Sequence, residues 1–420
     1  MAEAGGRDWP NMRHLRLLEL AGRENSLTQA ARLVHISQPA ASQAVARLAR
    51  IFAAPLLERV GNSVTLTAEG QIVARRARRA LDYLQDPHLV PRGRARQVGP
   101  DLLERYVGIT QLRVVTLLAL TESLGATAQA IGQTEASVQR SIKDIERLIG
   151  QPVLEGTRHN HVLTPIGQTI AMRASRALRE IDLAHAELRE RQGVFDSRVI
   201  VGALPLARTQ IVPRAIVRLL NAYPAARVEV LDGSYSFLRQ RLRLGACDLI
   251  IGALRDDAAE QDLLETPLLT DTVQIVARVG HPLAGRRITG QDLARFPWIV
   301  SRRDAPAHRV FETLAEAHGL SDMPQGQVTT GSLVILRGIM LDSDALTLIS
   351  ASQIRYEIDQ GLMTPLDFPV EGATRTIGIT ELRNAMPGLL HRELRAFMAN
   401  EAHKIAGCAD GSLHSASENL

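Results

Sequence analysis

The chain has 420 residues, 45% of them hydrophobic and 22% charged, which is typical of a globular protein of about three domains and excludes a disordered or fibrous one. It lacks an apolar run of about 18 residues and an apolar signal segment at its N-terminus, so we expect a protein without a membrane segment. Its two cysteines are too few for a disulfide framework or a metal site, so we expect a cytoplasmic protein without a metal or cofactor. The net charge of +4 is concentrated at one end: residues 1–100 hold 15 Arg against 8 acidic residues, which suits contact with phosphates, whereas residues 101–195 hold 11 basic and 11 acidic residues.

The first hundred residues predict three helices, a β-hairpin and a fourth helix, in that order. Apolar residues at helical spacing begin at Met12, a second helix covers residues 27 to about 34, and a third carries Pro39 in its first turn, where a missing N–H costs little. Two extended pieces, Leu56–Val60 and Val64–Thr67, enclose a Gly-Asn-Ser turn and predict the hairpin, and a helix rich in Ala and Arg follows. This order is typical of a winged helix-turn-helix domain, to which we assign residues 11–85.

The same pattern recurs 97 positions later without a gap, after a stretch at 86–101 whose Pro and Gly content predicts a linker. The shared positions are apolar residues, turn formers and a glycine, so the repeat specifies a small fold rather than a chemistry. The matched pairs include Ser26 and Ser123, Ala31 and Ala128, Pro55 and Pro152, Thr67 and Thr164, and Gly70 and Gly167. The second copy, residues 102–192, ends in a longer helix from Ile166 to about Arg191, whose apolar stripe suits an antiparallel or coiled helix pair.

From about residue 196 short apolar strands alternate with amphipathic helices, which predicts βαβ units around a mostly parallel sheet. The predicted strands are Val199–Gly202, Arg227–Leu231 and Asp248–Gly252, and the predicted helices between them are Ile211–Tyr223 and Phe237–Leu244. Further elements, whose type stays open, run through Val273–Arg278, Trp298–Val300, Val310–Ala317, Val334–Leu341 and Leu346–Ile349. We assign residues 196–402 to this α/β domain and residues 403–420, which become small and polar towards the end, to a flexible tail.

Two groups of residues form specific signatures. The first comprises Ala30-Ala31, Ile36 to Ser42, Leu57-Glu58-Arg59 and Leu66 to Gly70, and it makes the N-terminal stretch resemble the DNA-binding domain of LysR-type transcriptional regulators. The second comprises Pro213, Tyr223-Pro224, Gly245, Cys247 to Gly252 and His281 to Leu283, and it resembles the effector-binding domain of that family, which has two α/β lobes and the fold of type 2 periplasmic binding proteins. The resemblance implies a multi-domain fold: two α+β winged helix-turn-helix domains followed by a two-lobed α/β effector domain. Ordinary family members carry one winged helix, so the second copy departs from the family pattern.

The start of the third predicted helix carries residues that suit base readout in the major groove. Gln38 can bond adenine through its amide, and Pro39 and Ala40 offer apolar surface to a thymine methyl. Arg47 and Arg59 suit phosphates or a minor-groove edge. The candidate DNA-binding residues are Thr28, Ser37, Gln38, Pro39, Ala40, Ser42, Gln43, Arg47 and Arg59. In the alternative interpretation Ser37 only caps a helix and the arginines are solvated surface.

The second copy differs most at these positions. Thr134-Glu135-Ala136-Ser137 replaces Ser37-Gln38-Pro39-Ala40, and Gly156 replaces Arg59. Glu135 would approach phosphates as a like charge, although a glutamate can also accept from cytosine N4. The possible contacts that remain are Ser137, Gln139, Arg140, Lys143 and Arg158. Two interpretations stay open: a second DNA reader with altered preference, or a degenerate copy kept for packing and for dimerisation through its long helix.

In the two-lobed domain we expect a ligand between the lobes, at loops that follow strand ends. Hydroxyls and helix starts in these loops favour an anionic group of the ligand, and Arg208 or Arg302 can pair with a carboxylate or phosphate. In the alternative interpretation the hydroxyls only cap helices and the arginines are simply exposed. The candidate effector-binding residues are Leu206, Arg208, Ser234, Tyr235, Ser301, Arg302, Thr330 and Ser332. Leu206 is apolar where many relatives offer a hydroxyl. Gly233 to Tyr235 and Gly252 to Arg255 resemble a sugar-responsive branch of the family, so we expect an anionic or sugar-derived effector.

The predicted function is that of a sequence-specific transcription regulator of LysR type, whose binding to duplex promoter DNA is modulated by a small molecule. We expect a homodimer or homotetramer that does not bind membranes. An enzyme is not predicted, because no G-x-S-x-G, P-loop or H-E-x-x-H motif occurs. The alternative is an oligomeric co-regulator that does not bind DNA and uses the winged-helix copies for protein contacts.

Overall fold

The computed structural model describes residues 8–61, 63–85, 102–157, 160–255, 261–319 and 327–415. The chain divides into two units, one of Met1–Asp196 with Arg243–Ala246 and one of Ser197–Leu242 with Cys247–Leu420. The predicted linker at 86–101 lies outside the described residues. Within the described ranges, no helix combines the length and apolar character that a membrane span requires.

The first unit begins with three helices, a hairpin and a fourth helix. They are α1 (Met12–Glu24), α2 (Leu27–Leu33), α3 (Gln38–Ile51), the antiparallel strands β1 (Leu57–Val60) and β2 (Ser63–Leu66), and α4 (Ala68–Leu84). Each helix starts where a polar side chain accepts a hydrogen bond from a backbone N–H of its first turn. The capping residues are Asn11, Ser26, Ser37 and Thr67.

The same order of elements follows in the second copy, after the short helix α5 (Leu102–Tyr106). The elements are α6 (Ile109–Thr121), α7 (Leu124–Ile131), α8 (Glu135–Ile149), β3 (Leu154–Thr157), β4 (Asn160–Leu163) and α9 (Pro165–Arg191). One anchor is repeated in detail: Thr67 Oγ1 donates to the carbonyl of Pro55 at 2.6 Å, and Thr164 Oγ1 donates to that of Pro152 at 2.8 Å. Each hairpin is therefore tied in the same way to the helix that follows it.

The repeated glycine has a steric reason in both copies. A Cβ atom at Gly70 would lie 1.9 Å from the carbonyl oxygen of Leu56, and one at Gly167 would lie 2.3 Å from that of Val153. No larger residue fits where the trailing helix crosses the chain that enters the hairpin.

The apolar stripe of α9 packs inside the chain. Its buried residues belong to the same core as those of α4, and they are Ile170, Ala174, Ala177, Ile181, Ala184 and Leu188 on α9 and Val73, Ala77, Ala80, Leu81 and Leu84 on α4. The antiparallel helix pair that the spacing suggests is thus formed between the two copies. In this chain α4 covers the α9 stripe, and dimerisation between chains through α9 stays a prediction.

The second unit is an α/β structure with a nine-stranded sheet. Its strands are β5 (Arg198–Ala203), β6 (Arg227–Leu231), β7 (Leu249–Ala253), β8 (Leu263–Arg278), β9 (Trp298–Val300), β10 (Gln327–Thr329), β11 (Leu346–Ser350), β12 (Met363–Pro365) and β13 (Thr374–Leu382). Its helices are a 3-10 turn at Pro205–Arg208, α10 (Ile211–Ala222), α11 (Tyr235–Arg243), α12 (Gly290–Leu293), α13 (Pro306–His318), α14 (Leu333–Leu341), α15 (Arg355–Asp359) and α16 (Leu389–Ser415).

The sheet forms two lobes that share the long strand β8. The strand order is β10-β9-β11-β8-β13-β7-β5-β6, with β12 also on β8. We call the part built on β5, β6 and β7 the first lobe and the part built on β9, β10 and β11 the second lobe; each has its own apolar core. Strand β8 pairs with β13 up to Thr272 and with β11 from Val273 onwards. The sheet is therefore mixed rather than mostly parallel, because β8, β12 and β13 run antiparallel to their neighbours.

The C-terminal helix extends past the predicted end of the effector domain at residue 402. Helix α16 continues to Ser415, so residues 403–415 are helical, whereas residues 416–420 lie outside the described part of the chain. Lys404 pairs with Glu401 at 2.7 Å, and Ile405 packs against the core of the first lobe. These contacts hold the helix to the lobe at residues 404 and 405, within the segment that the sequence assigned to a flexible tail.

Candidate DNA interface and effector cleft

The outward face of α3 carries the predicted base-reading residues. Ala41, Ala44 and Leu48 are buried on the opposite face, which fixes the rotation of the helix. Ser37 caps the helix, and its Oγ accepts from the Ala40 N–H at 3.4 Å. The exposed residues are Ser37, Gln38, Pro39, Ala40, Ser42, Gln43 and Arg47. The structure thus brings polar amides, a small apolar patch and a guanidinium together on one accessible face.

Arg13 holds the turn between α2 and α3, although no motif in the sequence marks this residue. Its Nη2 donates to the carbonyl of Val34 at 2.7 Å and to that of His35 at 3.0 Å. His35 adopts the left-handed conformation with φ 54°, which a side chain other than glycine adopts at a cost. The two hydrogen bonds fix this turn and with it the direction in which α3 leaves it.

Arginines make this surface positive. Arg47 lies 3.5 Å from Asp8, but both side chains are more than half exposed, and such a pair contributes about 0–1 kcal/mol and does not sequester the guanidinium. Burial lowers the pKa of His14, and the charges of Arg47 and Arg13 lower it further. Thr28 is exposed in the first turn of α2 and Arg59 is exposed on the hairpin, as a contact with DNA requires.

The equivalent surface of the second copy is partly acidic. Glu135 and Gly125 stand where the first copy has Gln38 and Thr28. A Cβ atom at Gly125 would lie 2.8 Å from the Glu135 Oε1, so the carboxylate lies over the start of α7. The Thr28 hydroxyl could bond a phosphate in the first copy. In the second copy the Glu135 carboxylate, which repels phosphates, lies at the equivalent place.

The other candidate residues of the second copy are divided. Gln139, Arg140 and Lys143 are exposed on α8. Ser137 is half-buried, and its Oγ donates to the Gln133 Oε1 at 3.2 Å. Arg158 lies outside the described residues. Among the candidate residues that the structure describes, Arg140 and Lys143 are the exposed cations, and the Gln-Pro-Ala group and the hairpin Arg59 of the first copy are replaced in the sequence.

In the first lobe, two predicted effector residues are engaged by the lobe itself. Leu206 is buried in its apolar core. Arg208 donates from Nε to the carbonyl of Ala203 at 2.7 Å and pairs with Asp232 at 3.0 Å. Arg208 therefore ties the loops after β5 and β6 together, and a ligand would have to compete with Asp232 for it.

Ser234 and Tyr235 mark the start of α11. The Ser234 Oγ accepts from the Phe237 N–H at 3.1 Å and so caps the helix. Tyr235 is buried, and the guanidinium of Arg255 lies over its ring at 4.9 Å. The tyrosine thus supports an arginine that was not among the predicted site residues.

In the second lobe, the hydroxyls are again used locally. The Thr330 Oγ1 accepts from the Ser332 N–H at 3.1 Å, and the Ser332 Oγ caps α14 by accepting from the Ile335 N–H at 3.4 Å. The carbonyl of Ser301 lies 2.8 Å from the His308 Nδ1. Arg302 is 54% exposed and lies 3.5 Å from Asp304, which makes it the more accessible of the two predicted anion-binding arginines.

Arg255 and Gln210 reach from the first lobe to the second. The Arg255 Nη2 donates to the carbonyl of Asp304 at 3.1 Å, and the Gln210 Nε2 donates to that of Ser352 at 2.8 Å. Burial lowers the pKa of the Arg255 guanidinium. The charges of Arg309 and Arg375 lower this pKa further, whereas Tyr235 and Asp304 raise it by less than these causes together lower it, so the net shift is downward. Arg255 lies just after β7, a buried strand whose end is beside the end of β5. Its position after the end of a buried strand is the sequence signal that could have identified Arg255 as a site residue.

A buried charge pair lies where the lobes join. Asp271 on β8 accepts from the Ser350 Oγ on β11 and from the Arg375 Nε on β13, the latter at 2.9 Å. These contacts connect strands of both lobes at the point where β8 changes partner. The joint is thus held by a carboxylate that is only 6% exposed.

Two family models match this chain. The model described as the LysR substrate binding domain matches residues 192–402. The model described as the bacterial regulatory helix-turn-helix protein of the lysR family matches twice, at residues 12–71 and at residues 109–168. Together these matches cover both copies and the two-lobed unit.

Named relatives agree with these matches, and a solved structure shares the fold. The HTH-type transcriptional regulator GalR of Pseudomonas putida is 31% identical over 372 residues, which cover 89% of this chain and 92% of that protein. GbpR of Rhizobium radiobacter, also an HTH-type transcriptional regulator, is 26% identical over 255 residues, covering 60% of this chain and 84% of that protein. Full-length LysG of Corynebacterium glutamicum, solved with bound effector Arg, covers 70% of this chain and 98% of its own, with a TM-score of 0.50 and 14% identity, and it shows the fold alone.

Proposed function

The chain belongs to the LysR family of DNA-binding transcription regulators with an effector-binding domain, and on this premise we propose which of its residues read DNA and which meet the effector. We propose that residues 11–85 and 102–192 are tandem winged helix-turn-helix domains, that 86–101 links them and that 196–402 bind the effector. The first copy reads bases, and the protein acts in the cytoplasm on duplex promoter DNA as a homodimer or homotetramer.

The exposed face of α3 carries this proposal. Gln38 stands in the first turn with its amide in solvent, where it can bond adenine in the major groove, and Pro39 and Ala40 beside it can contact a thymine methyl. Arg47 and Arg59 contact phosphates on either side and contribute affinity without sequence preference. Ser37 serves mainly as the helix cap, which leaves Gln38 and Gln43 as the main donors to base edges.

Selection of bound duplexes from a randomised pool tests the assignment. The wild-type protein is expected to enrich a defined sequence, and Gln38→Ala is expected to lose the preference at one A·T pair while it keeps the rest. Gln71→Ala, an exposed glutamine on α4, is the matched control and should enrich the wild-type sequence. If the wild type enriches nothing, the protein is a co-regulator that does not bind DNA by itself.

For the effector we propose a small molecule with an anionic group that binds between the lobes beside Arg302 and Arg255. Arg302 is exposed, Arg255 bridges the lobes, and both side chains contact Asp304, so the two guanidiniums lie near the same residue of the second lobe. An anion would have to compete with Asp232 for Arg208, so Arg208 is the less available of the two arginines predicted to bind an anion. Hydroxyls of the effector would meet Thr330 and Ser332 on the second lobe.

Thermal shift measurements with gluconate and glucose as probes test this assignment. A sugar acid that binds raises the melting temperature of the wild type, and Arg302→Ala should abolish this rise, whereas Arg355→Ala, an exposed arginine on α15, should leave it unchanged. Stabilisation by glucose to the same extent would show that the anionic group is not what the cleft recognises.

A further inference from the structure

Helices α4 and α9 form an antiparallel pair that joins the two copies of the repeat. The start of α4 meets the end of α9, where Arg191 Nε lies 2.8 Å from the Glu69 Oε1. In the middle Arg79 Nε lies 2.8 Å from the Glu180 Oε1. Towards the end of α4 the contacts move to earlier residues of α9, and Arg173 Nη1 donates to the carbonyl of Tyr83 at 3.1 Å.

The contacts of this pair are reciprocal. The 97-residue offset makes Arg76 equivalent to Arg173 and Tyr83 equivalent to Glu180. The Arg76 Nη1 donates to the Glu180 Oε2 at 2.7 Å, and Arg173 donates to the backbone of Tyr83. Each arginine therefore reaches the equivalent position on the other helix. Reciprocal contact of this kind defines a two-fold, isologous interface, here formed inside one chain.

Small residues lie along the line of contact in both helices. Ala74, Ala77 and Ala80 on α4 are equivalent to Ala171, Ala174 and Ala177 on α9, and all six are buried. Side chains of this size let two helices approach closely. The two copies thus share one apolar core around this line.

Charge favours this pairing over one between two α4 helices. Arg76 is 1% exposed and is neutralised by Glu180 and Glu187 of α9. In a two-fold pair of α4 helices from separate chains, Arg76 would face Tyr83 instead of Glu180. A buried guanidinium without a carboxylate is strongly disfavoured, so the acidic residues of α9 specify the partner of α4.

The two recognition helices share this relationship. Each copy is anchored on its own trailing helix through the same threonine bond and the same glycine contact. A pseudo-two-fold axis between α4 and α9 therefore also relates α3 to α8. Helix-turn-helix dimers bind the two half-sites of their DNA with two recognition helices that are related in this way.

We propose that one chain forms the complete pair of DNA-binding heads and that its DNA site is a composite of two unlike half-sites. The first copy reads one half through Gln38 and its neighbours, and the second copy contacts the other half through Arg140 and Lys143, with Glu135 excluding close phosphates beside it. The site is therefore asymmetric, and its polarity orients the chain on the promoter. This inference rests on the proposed DNA-binding function.

Site-directed cleavage of DNA tests the composite site in the full chain. Arg50 and Arg147 are equivalent, exposed positions near the ends of α3 and α8, and neither is a proposed DNA contact. Each is replaced by Cys in a background without Cys247 and Cys408 and is coupled to iron–EDTA. On a duplex that has the length of a single pair of heads and still binds specifically, Arg50→Cys should cut on one side only and Arg147→Cys on the other side only.

Two outcomes would overturn the composite site while leaving DNA binding intact: both labels cut on both sides, as in a symmetric site shared by two chains, or the Arg147→Cys label cuts nowhere. Failure of the proposed function looks different, because the unlabelled protein would then protect no duplex at all.

A cross-link tests the pairing within one chain without DNA. Arg75 and Glu187 form an ion pair of 2.7 Å between the two helices. Arg75→Cys with Glu187→Cys, joined by a short bis-maleimide in the same cysteine-free background, should migrate as a single chain on a denaturing gel. A product of twice the mass would show that α4 pairs with α9 of another chain, and the single-chain reader would be wrong.

Discussion

Arg76 and Glu180 lie 104 residues apart in the sequence and form a nearly fully buried ion pair, with N···O 2.7 Å and 1% and 5% of the two side chains exposed. The pair joins the trailing helices of the two copies of the repeat. It therefore connects the fold of the N-terminal unit with the way in which two recognition helices are presented to DNA.

Glu180→Ala is expected to destabilise the N-terminal unit by about 3 kcal/mol, because removing one partner of a buried pair leaves the other charge without full compensation. Because Glu187 still contacts Arg76, the expected loss of stability lies at the lower end of the about 3–5 kcal/mol that removal of one partner of a buried ion pair costs. Urea unfolding followed by Trp9 fluorescence in a Trp298→Phe background measures it, since Trp9 packs on the core shared by the copies.

Arg23→Ala is the control for this prediction, because Arg23 is 56% exposed and its pairs with Glu19 and Glu24 should change stability by less than about 1 kcal/mol. Arg76→Met combined with Glu180→Leu should recover most of the stability. An equal loss for Arg23→Ala and Glu180→Ala would contradict a special role for the buried pair.

Glu135→Gln is expected to strengthen DNA binding about 2- to 10-fold at low salt, because it removes a negative charge from a surface that faces phosphates. Fluorescence anisotropy with a labelled duplex measures the effect, and the gain should shrink as salt is raised. Glu316→Gln makes the same change of charge at an exposed position of the second unit and should have little effect. Unchanged affinity for Glu135→Gln would indicate that α8 does not approach the duplex.

Cys247 is expected to resist alkylation in the folded protein. Burial raises the pKa of its thiol to about 12, and Asp248 adds to this, so almost no thiolate exists at pH 8. In a Cys408→Ser background, reaction with iodoacetamide should be slow in buffer and fast in urea. Fast labelling of the native protein would show that the first lobe opens around Cys247.

Acid is expected to weaken the second unit through Glu381. Burial by itself raises the pKa of this carboxyl, but hydrogen bonds and charge from His391 and Arg395 outweigh it and hold the pKa below the ordinary value of 4.5. Because the folded-state pKa is depressed, the stabilisation is present above the unfolded-state pKa and is lost as the pH falls through the folded-state pKa.

Melting temperatures between pH 3 and pH 7 check this sign. The wild type should lose stability below about pH 4.5, and Glu381→Gln should start lower at pH 7 and lose less on acidification. Glu316→Gln should follow the wild-type curve. A parallel fall of both curves for wild type and Glu381→Gln would place the acid sensitivity elsewhere.

Local signals in the sequence predicted most of the helices and the hairpins. Ser26, Ser37 and Thr67 cap helices in the structure, and the buried residues Ala41, Ala44 and Leu48 orient α3 with its DNA-facing residues outward. These features depend on neighbours a few residues apart. For the same reason the start of α9 and most strands of the first lobe lie within a few residues of their predicted positions.

What could not be predicted depends on contacts between distant segments. Strand β8 is ten residues longer than Val273–Arg278 because its first part pairs with β13 from the end of the chain. Arg255 gains its position from Asp304 on the other lobe, and Arg208 is engaged by Asp232. The partner of the long helix α9 was likewise open, since an apolar stripe does not specify whether its cover lies in the same chain.

The affinity of Gln38→Ala for the selected duplex tests the assignment of the first copy as the base reader most directly. Anisotropy titrations at fixed salt should show a loss of about 1–3 kcal/mol, and the variant should no longer distinguish the duplex from one in which the contacted A·T pair is replaced. Gln71→Ala should bind both duplexes as the wild type does. If Gln38→Ala keeps the wild-type affinity and discrimination, the first copy does not read bases through this residue.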